Sequence, residues 1–510
     1  MSLFFCIKIC KILQTIKNKY FFEVCMEKGS VELTQNILDK LNNNSDVVCR
    51  NLLISGKKID VVYIKDISSY EIISQDILLP LSRVDKLDEN VDIDYINKSV
   101  LTAGNIDEVS SADNAVEELL KGKTILAMED CQKMLVIDST KFNTRSIEEP
   151  PTSAVLKGPR EGFNENIKTN VSMVRRRMAT TNLVMVDLNV GTQTSTAVTV
   201  MYLKNIADKS VVKAIVNKIK SINIDGVVDS NYIAEYLQNR KNSIFQQIGT
   251  SEKPDIVTAK LLEGRVAIFV DGSPIVLTLP FILFETFQSP SDYYAKHQHS
   301  TLARWIRLIG IFFAVILPGF FVSVQLYHYD IVPLKFLVTI MNTTAGLPFT
   351  PLFETLFIIL LFEILNEASV RMPKHLGMAM SIVGALILGE TAVKAGLISP
   401  PAMMIVALSG ITLFVVSDLS DQLSILRLGF TLLGGLLGLY GIILGGVFLI
   451  AYLNTIDSYG APYLSPLSPH QKSDMKDFFN MAPITEMKSR PKSFHNKNTV
   501  RKEVQKEVQE

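Results

Sequence analysis

The spacing of apolar and polar positions divides the chain into two regimes. Between about residues 30 and 300, short apolar runs alternate between strand-like and helix-like periods, whereas residues 308–453 are dominated by Leu, Ile, Val, Phe and Gly. The pattern predicts an α/β soluble N-terminal region of two subdomains followed by an all-α polytopic membrane domain. Val31, Leu33, Ile37, Leu38 and Leu41 share one helix face ahead of Asn42, Asn43 and Asn44. Strands are predicted at 47–55 and 59–65, around Gly56-Lys57-Lys58, and at 124–128 and 134–137, with helices near 70–79 and 113–120 between them. An aperiodic linker at 146–158, with Pro150 and Pro151, separates this first subdomain, 30–145, from a second over 159–295. The second is predicted to carry a helix bearing Arg175, Arg176 and Arg177, strands at 183–190 and 196–202, and helices at 211–219, 232–237 and 254–264. A strand pair within 266–280 turns at Asp271-Gly272.

A membrane domain of about five to six spans is expected over 296–457. Its first span, 308–327, is an uncharged run of 20 residues, which at 1.5 Å per residue crosses about 30 Å. Lys296, Arg304 and Arg307 precede it and place the N-terminal region in the cytoplasm, while Trp305 and Tyr327 suit the two interfaces. The stretch 336–353 is broken by Pro348 and Pro351 and reads as re-entrant. The next helix, 352–370, carries Glu354, Glu363, Asn366 and Glu367, with Arg371 just beyond. Spacing of four puts Glu363, Glu367 and Arg371 on one face with Asn366 beside them, and Glu354 on the opposite face. A charge at the bilayer centre costs roughly 2.5–3.5 kcal/mol, so this stripe needs shelter. Two readings stand together: a Glu367–Arg371 pair that locks helices, and the lining of a hydrated pore. A helix over 375–394 places Glu390 and Lys394 four apart.

The last span, 428–453, holds Gly434, Gly438, Gly441 and Gly445 as two small-xxx-small pairs, which suit close packing within or between subunits better than a gating hinge. These glycines and the Arg175–Arg177 triplet are the candidate subunit-interface residues. A polar basic tail, 458–510, favours a cytoplasmic C-terminus and an even number of crossings. With a re-entrant 336–347 only five remain, so tail and loops disagree.

Composition narrows the function. Fifty-one basic and 51 acidic residues leave no net charge, which gives no argument for a nucleic acid or an acidic substrate, and no nucleic-acid partner is expected. Five cysteines without a CxxC pair make neither a disulfide framework nor a zinc site and suit a reducing compartment. Residues 1–29 read as a basic amphipathic leader or as an over-extended start ahead of Met26. Gly122-Lys123-Thr124 resembles the end of a P-loop, but Glu117 stands where glycine is needed and the helix precedes the triplet. His297 and His299 read as interfacial, and no nucleophile–base motif is present. The sequence calls for no catalytic residue, metal or cofactor.

Several longer motifs are more specific. They include Lys260-Leu261-Leu262-Glu263-Gly264-Arg265-Val266-Ala267-Ile268, Asp271-Gly272-Ser273-Pro274 and Ser289-Pro290-Ser291-Asp292-Tyr293-Tyr294. Pro348-Phe349-Thr350-Pro351, Phe362-Glu363-Ile364-Leu365-Asn366-Glu367-Ala368, Arg371-Met372-Pro373, Ala392-Val393-Lys394-Ala395-Gly396 and Ala461-Pro462-Tyr463-Leu464-Ser465-Pro466-Leu467 continue the series. In these the chain resembles the A subunits of spore germinant receptors, the GerA family of Bacillus and Clostridium relatives. The resemblance implies a non-enzymatic, multi-pass subunit of the spore inner membrane with its N-terminal domains on the core side. It further implies a permease-like B subunit and a lipoprotein C subunit as partners, a homo-oligomer in contact with membrane lipid, and a nutrient-gated cation channel. A signal-transmitting scaffold or a secondary transporter subunit without its own pore is the alternative. Asn366 stands where the family usually has arginine, and Glu390 where glutamine is common.

Overall fold

The computed structural model describes residues 32–41, 44–54, 56–65, 67–84, 92–140, 158–371 and 389–501. The leader, the linker up to residue 157 and the helix start at His375 therefore lie outside the described residues. Two compact units form. Of the described residues, one unit comprises those up to 140 with 160–237 and 250–278, and the other 158–159, 238–249 and those from 279 on.

The first unit holds two five-stranded sheets. In the first, helix α1 (Glu32–Lys40) leads into the hairpin β1 (Val47–Ile54) and β2 (Lys57–Ile64). Strand β3 (Ile106–Val109), helix α2 (Ala112–Leu120) and the pair β4 (Thr124–Met128) and β5 (Met134–Ile137) follow. The second repeats this plan. Helix α3 (Ile167–Arg177), β6 (Leu183–Val190) and β7 (Thr196–Leu203) come first, then α4 (Lys209–Lys220) and α5 (Ser230–Leu237). Strand β8 (Gly249–Ser251), α6 (Pro254–Leu262), β9 (Val266–Val270) and β10 (Val276–Leu279) complete it. The strand orders, β1-β2-β4-β5-β3 and β6-β7-β9-β10-β8, are the same order.

The repeat extends to single residues. Helices α2 and α6 both end at a glycine in the left-handed region, Gly122 at φ 94° and Gly264 at φ 88°, where a residue with a Cβ is disfavoured. A buried strand follows each, with all five residues of β4 and all five of β9 out of solvent. Gly122 is thus a helix cap, and Lys123 is held by Glu118 at 2.7 Å, which accounts for the P-loop resemblance without a phosphate. Strands β3 and β8 escaped the sequence pattern because they are only 4 and 3 residues long and carry Asp-Glu and Gly, which are depleted in strands.

The second unit is helical. Helix α7 (His297–Tyr327) is followed by short α8 (Leu334–Thr344), then α9 (Pro351–Arg371), α10 (Pro400–Leu413) and α11 (Ser420–Asn454). Among the described residues, α7 and α11 are long and apolar enough to cross a membrane. Helix α11 departs from the expected single span over 428–453. Gly438 has φ 64° and ψ −151°, a conformation essentially confined to glycine, and the chain reverses there. A Cβ built on Gly445 would lie 2.7 Å from Leu433 and 3.3 Å from Phe430, distances a continuous helix of that separation cannot produce. Leu423, Phe430, Ile442 and Leu453 accordingly share one core cluster. The element is a helical hairpin whose limbs, 420–437 and 439–454, each run about 25 Å.

The hairpin packs along α7. Gly319 and Gly434 bring the two backbones together, and a Cβ on Gly434 would fall on the Gly319 carbonyl. At the far end the Tyr327 hydroxyl donates to the Gly435 carbonyl at 3.0 Å. At the near end the segment after the hairpin returns to the residues before α7, with Leu283 N–H donating to the Tyr463 carbonyl at 2.9 Å. Both ends of α11 therefore sit beside the start of α7. The chain beyond folds back as well: Phe478, Met481 and Phe494 are buried.

Candidate functional site

The polar residues of α9 are separated by the fold. Glu354 is 1 % exposed, and its carboxylate accepts from the Ser399 N–H at the start of α10, while the Ser399 hydroxyl accepts from Ala402 N–H. A carboxylate from one helix thus supplies negative charge at the N-terminus of another. Glu363 turns toward α11. Its Oε1 accepts from Arg427 Nη2 at 2.6 Å and from the Ser424 hydroxyl. Arg427 is 1 % exposed and Glu363 29 %.

Glu367 and Arg371 form the i, i+4 pair read from the sequence, at 2.5 Å, but it is exposed, at 66 % and 79 %. Asn366 beside it is exposed too. Glu390 and Lys394 likewise pair at 2.5 Å on an exposed face. Of the polar residues of α9, Glu363 is therefore the one whose ion pair joins two helices, through Arg427. Among the described residues, Arg427 Nε and Nη1, the Ser323 hydroxyl and the Gln325 amide are buried without a hydrogen-bond partner. Polar atoms in that state call for water or a further group.

A second polar cluster anchors the start of α7. Arg304, 1 % exposed, bonds Asp477 at 2.9 Å and the Phe478 carbonyl at 2.7 Å, and it lies 3.3 Å from Asp292. Arg307 clamps Asp292 through both nitrogens, at 2.7 and 2.9 Å. Tyr293 donates to Asp477 at 2.7 Å. Sequence reasoning assigned these arginines only to orientation. Their partners were within reach of inspection in the motif around Asp292, but nothing local pointed to Asp477.

The arginine triplet turns inward within the first unit. Arg175, 1 % exposed, lies 3.3 Å from Asp46, itself 5 % exposed. Burial pushes the Asp46 carboxyl above its ordinary value against the pull of Arg175, and burial lowers the Arg175 guanidinium. Beside this pair Asn44 donates to the Leu183 carbonyl at 2.7 Å and accepts from Met185 N–H at 3.4 Å, which covers the open edge of β6. Arg176 and Arg177 both bond Glu161. Burial works to raise the Glu161 carboxyl, and the two guanidiniums outweigh it and hold it below its usual range. Gly434 and Gly441 meet backbone of this same chain, Gly445 meets Leu433 and Gly438 makes the turn, so the glycines too have intrachain roles. Among the described residues no cluster suits a metal ion.

What the geometry defines is a membrane-type helical unit with internal ion pairs, preceded by a duplicated α/β module. Residues 35–493 match the family of Bacillus/Clostridium GerA spore germination proteins, and the chain belongs to that family. It is similar to the uncharacterized membrane protein YfkQ of Bacillus subtilis, 36% identical over 86% of this chain and 86% of that protein. Spore germination protein KA of the same organism is 32% identical over 92% of this chain and 88% of its own length. A crystal structure of the N-terminal domain of the A subunit of the Bacillus megaterium spore germinant receptor GerK3 is 29% identical. It covers 49% of this chain and 95% of that one, with a TM-score of 0.38.

Proposed function

We propose that this chain is the non-enzymatic A-type membrane subunit of a nutrient-sensing germinant receptor of the spore inner membrane. It forms an oligomeric cation channel that opens when nutrient engages the receptor. Its partners are a permease-like B subunit and a lipoprotein C subunit, and both flanks of the helical unit lie on the core side. The observation that carries this reading is the Glu363–Arg427 pair. A buried guanidinium holds a part-exposed carboxylate between α9 and α11, at 2.6 Å.

A ring of carboxylates attracts cations, and one neutralised by arginine does not. Separation of α9 from α11 frees the Glu363 carboxylate for a permeating cation, so the pair is the two-state element that a signal from the partner subunits would bias. The unpartnered polar atoms at Ser323, Gln325 and Arg427 suit a passage that takes up water. Reconstitution in liposomes with the B and C subunits and nutrient tests the reading. Unitary conductance is expected; saturable uptake without conductance would make the assembly a transporter, and neither would make this chain a scaffold.

A further inference from the structure

The chain beyond α11 is folded and does not trail. The Asp474 carboxylate accepts from the Lys492 and Ser493 N–H groups, each at 3.1 Å, and from the Ser493 hydroxyl at 2.7 Å, which brings residue 492 beside the turn at 474–476. Farther on, Arg490 N–H donates to the Thr499 carbonyl and Arg501 N–H to the Lys488 carbonyl, both at 2.8 Å, closing the remainder into a loop. Ser493 and Phe494 are buried.

The start of α7 fixes where this fold sits. Besides the Arg304 contacts to Asp477 and Phe478, Met481 N–H donates to the Thr301 hydroxyl and the Trp305 indole N–H to Asn480, both at 3.1 Å, and the Trp305 and Phe479 rings lie 5.4 Å apart. Arg304 stands four residues before Leu308, where the uncharged run begins. That is about 6 Å along the helix axis. The tail is thus held at the level of the lipid headgroups, where Trp305, 43 % exposed, suits the interface.

Residues 472–501 carry seven lysines and arginines against three acids. Two of those acids are engaged, Asp474 by the tail's own backbone and Asp477 by Arg304. Lys472, Lys476, Lys488, Lys492 and Lys497 are all exposed and make no ion pair among the described residues. We propose that the folded tail binds anionic lipid headgroups of the leaflet at the start of α7. A basic juxtamembrane surface is drawn to an anionic leaflet, and the attraction falls off over a Debye length, about 8 Å at physiological salt. The Arg304 anchor stands within that range. An acidic protein would meet the same charge, but the anchoring height and the half-exposed tryptophan select a bilayer. The inference rests on α7 crossing the membrane and is independent of conduction.

The test uses the single tryptophan, Trp305, of the full-length chain reconstituted in vesicles. Phosphatidylglycerol and phosphatidylcholine with brominated acyl chains, which quench tryptophan on contact, are each titrated against unlabelled phosphatidylcholine at low ionic strength. The anionic lipid should occupy the sites beside Trp305 in preference to the zwitterionic one by about threefold or more. That preference should fall to near equality in K472Q/K476Q/K488Q/K492Q/K497Q, whose changes all lie at exposed positions, while K335Q, an exposed lysine on α8, retains it. Equal quenching by the two lipids, an undiminished preference in the five-lysine variant, or an equal loss in K335Q would overturn the proposal alone. Quenching by neither lipid would overturn it together with the reading of α7 as a span.

Discussion

Arg427 on α11 and Glu363 on α9 meet at 2.6 Å with the guanidinium almost wholly out of contact with the surface. Each makes the other tolerable. Removing one partner strands a buried charge, whereas removing both leaves an apolar contact that similar helices accept. E363Q is therefore expected to destabilise the protein by about 3 kcal/mol, the lower end of the buried-pair range because Glu363 is part exposed. E363L/R427M should recover most of that loss. Thermal unfolding in detergent measures both, and equal losses in the single and double variants would count against the pair as a lock.

The close approach of α7 and the first limb of α11 depends on two residues lacking a Cβ. At Gly434 an added methyl falls on the Gly319 carbonyl, while at Gly429, on the same limb, it meets nothing within 4 Å. G434A should cost about 1–3 kcal/mol through forced separation of the helices. G429A should raise stability by about 0.5–1 kcal/mol, the helix-propensity gain of alanine over glycine where nothing obstructs the methyl. Their melting temperatures side by side decide whether the glycine spacing is structural.

The reversal at Gly438 has a topological consequence. Positions 421 and 455 label from the same side of a membrane and position 440 from the other. Single cysteines in place of Asp421, Tyr440 and Thr455, in a background without native cysteines, read this with a membrane-impermeant maleimide on oriented vesicles. Labelling of 421 and 455 from opposite sides would restore a single span. G438A should cost about 1–3 kcal/mol, the usual cost of backbone held in a sparsely populated region.

Glu161 gives a pH dependence in the first unit. Its carboxyl is held below the ordinary 4.5, so the native state binds its proton less tightly than the unfolded state. The stabilisation is complete above the unfolded value and is lost as pH falls through the folded one. Solvent screening at this part-exposed site keeps it below about 1 kcal/mol. The melting temperature of E161Q should lie slightly below that of the parent at pH 7, and the difference should close below pH 4.5.

Most of the α/β module was legible because its strands are apolar runs bounded by turn residues, and β4 and β5 fall where the pattern put them. The duplication was not visible in sequence, since it lies in strand order and in two helix-capping glycines, Gly122 and Gly264. In the helical unit, an i, i+4 rule finds Glu367–Arg371 and Glu390–Lys394, both of which form on exposed faces. The rule cannot reach Arg427, 64 positions from Glu363. Nor does a uniformly apolar, glycine-rich run distinguish close packing from a turn: Gly434 does the first and Gly438 the second. If each limb of the hairpin crosses the membrane, as the labelling experiment tests, the number of crossings becomes even, as the basic tail favours.

Potassium efflux from spores of the native host, with subunit abundance checked by immunoblot, tests the central claim most directly. The variants are E363Q and E367Q, singly and together. If Glu363 sits at the gate, E363Q slows or deregulates nutrient-triggered efflux at normal abundance, and E367Q, whose pair with Arg371 is exposed, leaves it near the parental rate. Unchanged efflux from E363Q spores with normal abundance would remove this carboxylate from conduction and gating and contradict the account.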